Sequence, residues 1–242
     1  MSARRRIDQL LVERGLVESR EKARALVLAG EVCVDGRKVT KAGHTVFADS
    51  HIEVAAPLKY VSRGGYKLEA ALDHFSIDVR GRVCLDVGTS TGGFTDCLLQ
   101  RGARRVHAVD TGAGQIAWKL RTDSRVVLHE NVNARFLTLG DIGELVDFAA
   151  CDVSFISATL IVPAMAGVLK EPGEMVILVK PQFEAGRGQV GKGGVVRDPV
   201  LHEAACAKVE AAVTALGFRS GRRESPIRGA KGNREFLLYA IR

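Results

Sequence analysis

Apolar residues recur at helical spacing twice near the N-terminus. Ile7, Leu10 and Leu11 share one face of a helix over 7–15, and Ala23, Leu26 and Val27 repeat the spacing behind Ser19, a side chain suited to capping, until Gly30 stops the second helix. Val32 and Val34 then alternate up to Asp35-Gly36, a hairpin turn signal, with Val39 resuming beyond it and Ile52 and Val54 marking another strand. Further on, the two periods take turns. A helix through Leu68, Leu72 and Phe75 leads to a strand at 82–87, a helix from 93, a strand at 105–109, a helix over 113–120 and a strand at 125–128. Strands at 146–151 and 175–179 bracket a helix over 159–169. A long helix opened by Asp198-Pro199 carries Leu201, Ala205, Val209, Ala212 and Leu216 on one face, and strands at 218–225 and 235–241 follow. Apolar strands alternating with helices predict an α/β fold: seven strands in a mostly parallel sheet, covered by helices on both faces.

Between the two patterns, residues 56–66 carry Pro57 and the Gly64-Gly65 pair, which disfavour a continuous element. We therefore place a small α/β domain at 1–58, a linker at 59–63 and a large domain at 64–242. A chain of 242 residues with 46% apolar content can bury one full-sized core and a small satellite, in keeping with that division. The net charge is +7, and residues 1–67 alone hold 13 basic and 8 acidic side chains, so the small domain carries most of the excess. Its polar faces present Arg4, Arg5, Arg6, Arg14, Arg20, Lys22, Arg24, Arg37, Lys38 and Lys41. Such a surface suits a polyanion; charge alone does not choose between nucleic acid and an acidic membrane. The five cysteines form no C-x-x-C pair, which points to reduced thiols and a cytoplasmic setting. No apolar run approaches the roughly 18 residues that span a bilayer, and the opening Met-Ser-Ala-Arg-Arg-Arg leads into none, so neither secretion nor membrane insertion is expected.

The chemistry concentrates at strand ends. In Val83-Cys-Leu-Asp86-Val-Gly88-Thr-Ser90-Thr-Gly92-Gly93-Phe94 a strand ends in an acid and runs through a glycine-rich turn into a helix, which exposes amides to a carboxylate and offers an acid to an ammonium. The next strand ends in Asp110, placed to take two ribose hydroxyls, and Asn133 follows the third strand, where it either meets an adenine edge or caps a loop. Neither G-x-G-x-x-G nor the P-loop pattern is present, which lowers NAD and ATP and favours S-adenosylmethionine. Asp152 directly follows one apolar strand and Lys180 another, putting an acid and an amine at neighbouring tips. An amine there can accept a proton; a permanently charged Arg cannot. A ribose hydroxyl, a very weak acid, needs such a group, and Asp152-Val-Ser-Phe lacks the Asn/Asp-Pro-Pro-aromatic run common where exocyclic amines are methylated. No metal-ligand set is read from the chain.

Two resemblances sharpen this reading. Arg6-Ile-Asp-Gln-Leu-Leu, Ser19-Arg-Glu-Lys-Ala-Arg and Gly30-Glu-Val-Cys-Val-Asp-Gly-Arg-Lys-Val resemble the S4 RNA-binding fold, which implies contacts to RNA phosphates from Arg4, Arg6, Arg14, Arg20, Lys22, Arg24 and Lys41. Residues 64–242 are similar to FtsJ-type ribose 2′-O-methyltransferases, implying a Rossmann-like seven-stranded sheet and a catalytic tetrad of Lys67, Asp152, Lys180 and Glu235. The combination, with Ser62-Arg-Gly-Gly-Tyr-Lys-Leu and Lys180-Pro-Gln-Phe-Glu, resembles the TlyA family, which also carries a haemolysin label. That resemblance implies cytidine 2′-O-methylation of 16S or 23S ribosomal RNA in bacteria, with ribosomal subunits as partners. Two other readings stay open here: a membrane-lytic protein, and a non-catalytic ribosome assembly factor. Monomer and weak dimer are both compatible with the chain. Arg219, Arg222, Arg223, Arg228, Lys231 and Arg234 form a second basic cluster, and the glycine-rich segment 184–197 reads either as a lid or as an ordinary loop.

Overall fold

The computed structural model describes residues 3–54, 58–186, 188–191 and 193–242. The chain falls into two compact units that divide after residue 57.

The first unit runs β1 (Arg4–Arg6), α1 (Ile7–Glu13), α2 (Arg20–Leu28), β2 (Val32–Val34), β3 (Arg37–Val39), β4 (Thr45–Phe47) and β5 (Ile52–Val54). Both expected helices form, and Ser19 Oγ accepts the Lys22 amide 3.2 Å away at the start of α2. Asp35 and Gly36 both take positive φ, as the hairpin turn between β2 and β3 requires. Strands order β3-β2-β5, all antiparallel, over a core of Ile7, Leu10, Leu11, Ala23, Val27, Val32, Val34 and Ile52. An antiparallel ribbon of β1 and β4 is the addition. Three consecutive arginines show no apolar alternation, and β4 turns only Val46 inward, so neither strand leaves a pattern to read.

The second unit begins with α3 (Gly64–His74), so the glycine pair opens this helix and does not interrupt it. The reason is steric. A Cβ on Gly65 would lie 2.3 Å from the Tyr60 ring, and one on Gly93 would lie 2.3 Å from Ser62 Oγ and 3.0 Å from the Gly65 amide nitrogen. The glycines are where the backbones of α3 and α4 (Gly93–Gln100) meet.

Around them follow β6 (Val83–Val87), β7 (Arg105–Val109), α5 (Trp118–Arg121), β8 (Val126–His129), α6 (Leu139–Ile142), β9 (Val146–Cys151), α7 (Val162–Val168), β10 (Leu169–Val179), α8 (Pro181–Glu184), α9 (Pro199–Thr214), β11 (Arg219–Glu224) and β12 (Phe236–Ile241). Among the described residues seven strands pair in the order β11-β12-β10-β9-β6-β7-β8, and β12 alone runs against its neighbours. Alternation sorts the strand side chains onto two faces. Leu85, Ala149, Ile177 and Leu238 face Met165, Val209 and Val213 of α7 and α9, whereas Phe148, Val176 and Leu237 face Leu68, Leu72, Leu98 and Leu120.

Four further expectations change. The helix over 113–120 shrinks to α5, because Asp110 Oδ1 and Glu130 Oε1 capture the amides of Gly112 and Gly114, each at 2.7 Å, and hold that stretch as a loop. The helix over 159–169 begins with a 3-10 turn, Ala158–Leu160, and the strand after it starts at Leu169, earlier than its apolar run. On α9 the buried stripe is His202, Ala205, Cys206, Val209 and Val213; Leu201, Ala212 and Leu216 are only partly covered.

Candidate active site

After β6 the chain runs outward through β7 and β8, then returns to β9 on the opposite side of β6. A crevice opens at such a reversal, beyond the carboxyl ends of the strands. The turn after β6 presses directly on the tip of β9: Gly88 has φ +83°, and a Cβ there would lie 2.6 Å from the Asp152 carbonyl oxygen. Only glycine meets both conditions.

Two adjoining cavities occupy the crevice. One, of about 500 Å³, is lined by Gly88, Ser90, Asp110, Asn133, Asp152 and Phe155, with Val109, Val132 and Ile161 as apolar wall. The other, of about 310 Å³, is lined by Arg63, Lys67, Phe94, Asp152, Lys180 and Arg228. Gly88, Ser90, Asp152 and Ser154 belong to both walls, so what fills one cavity meets what fills the other at the tip of β9.

The larger cavity suits the cofactor read from the sequence. Asp110 Oδ2 accepts the Ser90 amide and Oδ1 the Gly112 amide, both at 2.7 Å, which fixes the carboxylate and leaves a further lone pair on each oxygen for a diol. Asn133 Oδ1 accepts the Arg135 amide at 3.2 Å, so this residue caps the 3-10 turn Ala134–Phe136 while lining the cavity. Asp86 reaches neither cavity wall. It is fully buried beneath the glycine turn, where Oδ2 accepts the Thr95 amide (2.9 Å) and hydroxyl (2.6 Å) and so anchors the first turn of α4. Its Oδ1 is buried with no hydrogen-bond partner among the described residues, and burial, reinforced by the charges of Asp152 and Asp110, pushes the carboxyl up to about 7 against the Thr95 hydrogen bonds. Gly92 lines neither cavity, whereas Gly93 and Phe94 line the smaller one.

In the smaller cavity Lys180 Nζ lies 2.6 Å from Asp152 Oδ1 and donates to Ser154 Oγ at 2.8 Å. The contact with the carboxylate is an ion pair, and it holds the amine at the tip of β9. Lys67, on α3, donates to Glu235 Oε2 at 2.5 Å, with the glutamate 3% exposed. The four tetrad residues therefore form two acid–amine pairs, three of their members facing one cavity. Among the described residues no group of three or more His, Cys, Asp or Glu is placed to hold a metal ion.

Several features at the site were not singled out from the sequence. Ser154 touches Lys180 and lines both cavities. Phe155 is 92% exposed with φ +65° and stands 5.2 Å from Phe183, whose ring is 5.9 Å from Lys180 Nζ. A bulky aromatic in Asp-x-Ser-Phe looks like core from pattern alone; its positive φ turns it outward. In the second basic cluster only Arg228 lines a described cavity, because Arg222 pairs with Glu203 and Glu210, and Arg234 with Glu224. Of the segment 184–197, Arg187 and Lys192 lie outside the described residues.

In the first unit Arg4, Arg6, Arg14, Arg20, Lys22, Arg24 and Lys41 are all exposed. Arg4 lies over the Phe47 ring at 5.1 Å, and Lys22 pairs with Glu18. Arg14 donates to the carbonyls of Ser50 and Ala48, which ties its guanidinium to the turn after β4.

Comparison with known proteins identifies both parts of the chain. Residues 60–242 match the FtsJ-like methyltransferase family and residues 5–49 the S4 domain. The 16S/23S rRNA (cytidine-2′-O)-methyltransferase TlyA of Mycobacterium tuberculosis is 47% identical, over 99% of this chain and 90% of that protein. Hemolysin A of Brachyspira hyodysenteriae is 45% identical, over 98% and 99%. A Streptococcus thermophilus structure solved under a hemolysin name superposes with a TM-score of 0.77 at 44% identity, over 100% of this chain and 90% of that one.

Proposed function

This chain belongs to the FtsJ-like methyltransferase family and depends on S-adenosylmethionine, and on that footing we propose that it methylates the ribose 2′-hydroxyl of a cytidine in bacterial 16S or 23S ribosomal RNA, or both. The observation that carries the reading is the shared wall at Asp152. A cavity lined by Gly88, Ser90 and Asp110 and a cavity lined by two amines meet there, which is the arrangement a methyl transfer to oxygen needs.

The cofactor supplies a methyl group on a sulfonium. It would be held by Asp110 at its ribose and packed between the turn at Gly88 and Ser90 and the apolar wall of Val109, Val132 and Ile161. The protein's own groups then deal with the acceptor. A hydroxyl seated between Lys180 and Asp152 would be oriented by the carboxylate, and Lys180 Nζ, once it has released a proton to solvent, would take the hydroxyl proton as the oxygen bonds to the methyl carbon and that carbon's bond to sulfur breaks. Lys67, held by Glu235, faces the same space and stabilises charge that develops on the oxygen. A nucleotide must leave its stack to reach this depth, and the exposed ring of Phe155 offers a stacking face at the mouth. The basic first unit would hold the RNA by its phosphates, which supports ribosomal subunits as the partner and a cytoplasmic setting.

The test uses purified protein, ribosomal subunits and radiolabelled S-adenosylmethionine, with ribose methylation mapped across both rRNAs. Label at a cytidine 2′-oxygen is expected. Lys180→Ala should lower the rate by at least about 100-fold while RNA binding persists. Label on a base, or near-normal turnover by Lys180→Ala, would overturn the assignment.

A further inference from the structure

We propose that Asp8 is a positioning residue for RNA binding, its buried carboxylate holding the guanidinium groups of Arg6 and Arg20 as one fixed, outward-facing pair. The inference rests on the reading that the first unit binds ribosomal RNA.

An acid in the middle of a basic surface needs a reason, because its charge opposes a polyanionic partner. Asp8 is 0% exposed, yet both of its oxygens are used. Arg6 grips it sideways, Nε to Oδ1 and a terminal nitrogen to Oδ2, each at 3.0 Å, and Arg20 Nε reaches Oδ2, again at 3.0 Å. Arg6 is the last residue of β1, Asp8 lies in the first turn of α1 and Arg20 is the first residue of α2, so three elements converge on one carboxylate. The Arg6 guanidinium also passes close over Gly43.

Both arginines remain about half exposed, at 45% and 52% of their side chains. Each lends Asp8 only part of its fork and leaves its other N–H groups turned to solvent, free for phosphate oxygens. A free arginine loses side-chain entropy when it grips a phosphate; these two are already ordered before RNA arrives. The hydrogen bond from Arg6 holds the Asp8 carboxyl below the usual carboxylate range, which favours the charged form that both guanidinium groups grip.

Counting charge and fixing geometry predict opposite signs. Asp8→Asn adds one positive charge to the surface, so electrostatics alone would tighten RNA binding; loss of positioning would weaken it. The experiment measures methylation kinetics and binding of the full chain with purified ribosomal subunits. Glu21→Gln serves as the charge-matched control, being exposed on α2 with no ion pair among the described residues.

Asp8→Asn should raise KM for subunits about five- to tenfold, with the loss vanishing at saturating RNA, while Glu21→Gln binds as tightly as the parent or tighter. Should Asp8→Asn unfold, Asp8→Glu keeps the charge but moves the carboxylate by one methylene, and a raised KM with unchanged melting supports positioning. Asp8→Asn binding like Glu21→Gln, or a folded Asp8→Glu binding like the parent, overturns the proposal. If the unaltered chain fails to bind subunits at all, the functional reading fails instead.

Discussion

Lys67 and Glu235 make the most exposed quantitative test of the site. They stand 168 positions apart in the chain and 2.5 Å apart in space, the lysine 9% and the glutamate 3% exposed. Removing one member of a buried pair strands the other, at roughly 3–5 kcal/mol when no water reaches it. The two members are not equally placed. Lys67 lines a cavity that water enters, so in Glu235→Gln the stranded ammonium is partly hydrated and the cost falls to about 2 kcal/mol. Glu235 lines neither cavity, and Gly229 packs so closely that a Cβ there would come within 1.8 Å of Oε1. Lys67→Met therefore strands a carboxylate without water, at about 4 kcal/mol. At about 2–4 °C per kcal/mol for a domain of this size, melting drops by roughly 4–8 °C in the first variant and 8–16 °C in the second. The double variant, with both charges gone, should be more stable than Lys67→Met alone. Urea denaturation of all four proteins reads the cycle without recourse to activity, which every variant loses. Additive costs, or a milder loss in Lys67→Met than in Glu235→Gln, would refute the buried-pair reasoning.

Other outcomes follow from single contacts. Gly88→Ala forces a side chain onto the Asp152 carbonyl at positive φ, so calorimetry should show cofactor affinity reduced by at least about tenfold and stability by about 1–3 kcal/mol. Asp86, pushed up to about 7 by burial, binds a proton more readily folded than unfolded; its contribution to stability should fall as pH rises from about 4 to 7, so urea titrations should show the parent losing stability relative to Asp86→Asn across that window. Phe155→Ala, which removes a ring that packs on little else, should leave melting unchanged and raise KM for RNA by about tenfold, within the range of one lost base stack.

The parts of this fold that were legible in the sequence are those where a period reports burial. β9 appears with its bounds as expected because every second residue must face one helical layer and the intervening ones the other. Asp152 and Lys180 could be found for the same reason, as the first polar residues after the apolar runs 148–151 and 175–179. Lys67 and Glu235 could not. Lys67 sits beside Leu68 on an ordinary amphipathic helix, and Glu235 precedes a strand by one residue, so local pattern assigns each to the surface. What makes them a pair is the closure of the sheet, which sets β12 beside β10 and carries residue 235 to α3; only the family resemblance anticipated it. The loop over 110–117 failed for a different reason. Side-chain carboxylates outcompete the helix for its amides there, and no periodicity records such a capture.

The spacing of Gly88, Asp152 and Lys180 is set by backbone, not by side chains. The turn after β6 touches the tip of β9 at Gly88, Asp152 continues that tip, and Lys180 continues β10, which pairs with β9 in parallel register. Sliding the cofactor turn relative to the acid or the amine would require breaking strand pairing in the middle of the sheet. Side chains at the rim, such as Phe155 and Arg228, are exposed and stand outside the strand pairing. Substitutions at the rim should therefore appear in KM and in the choice of nucleotide, whereas any change that moves the Gly88–Asp152 contact by even an ångström should appear in kcat.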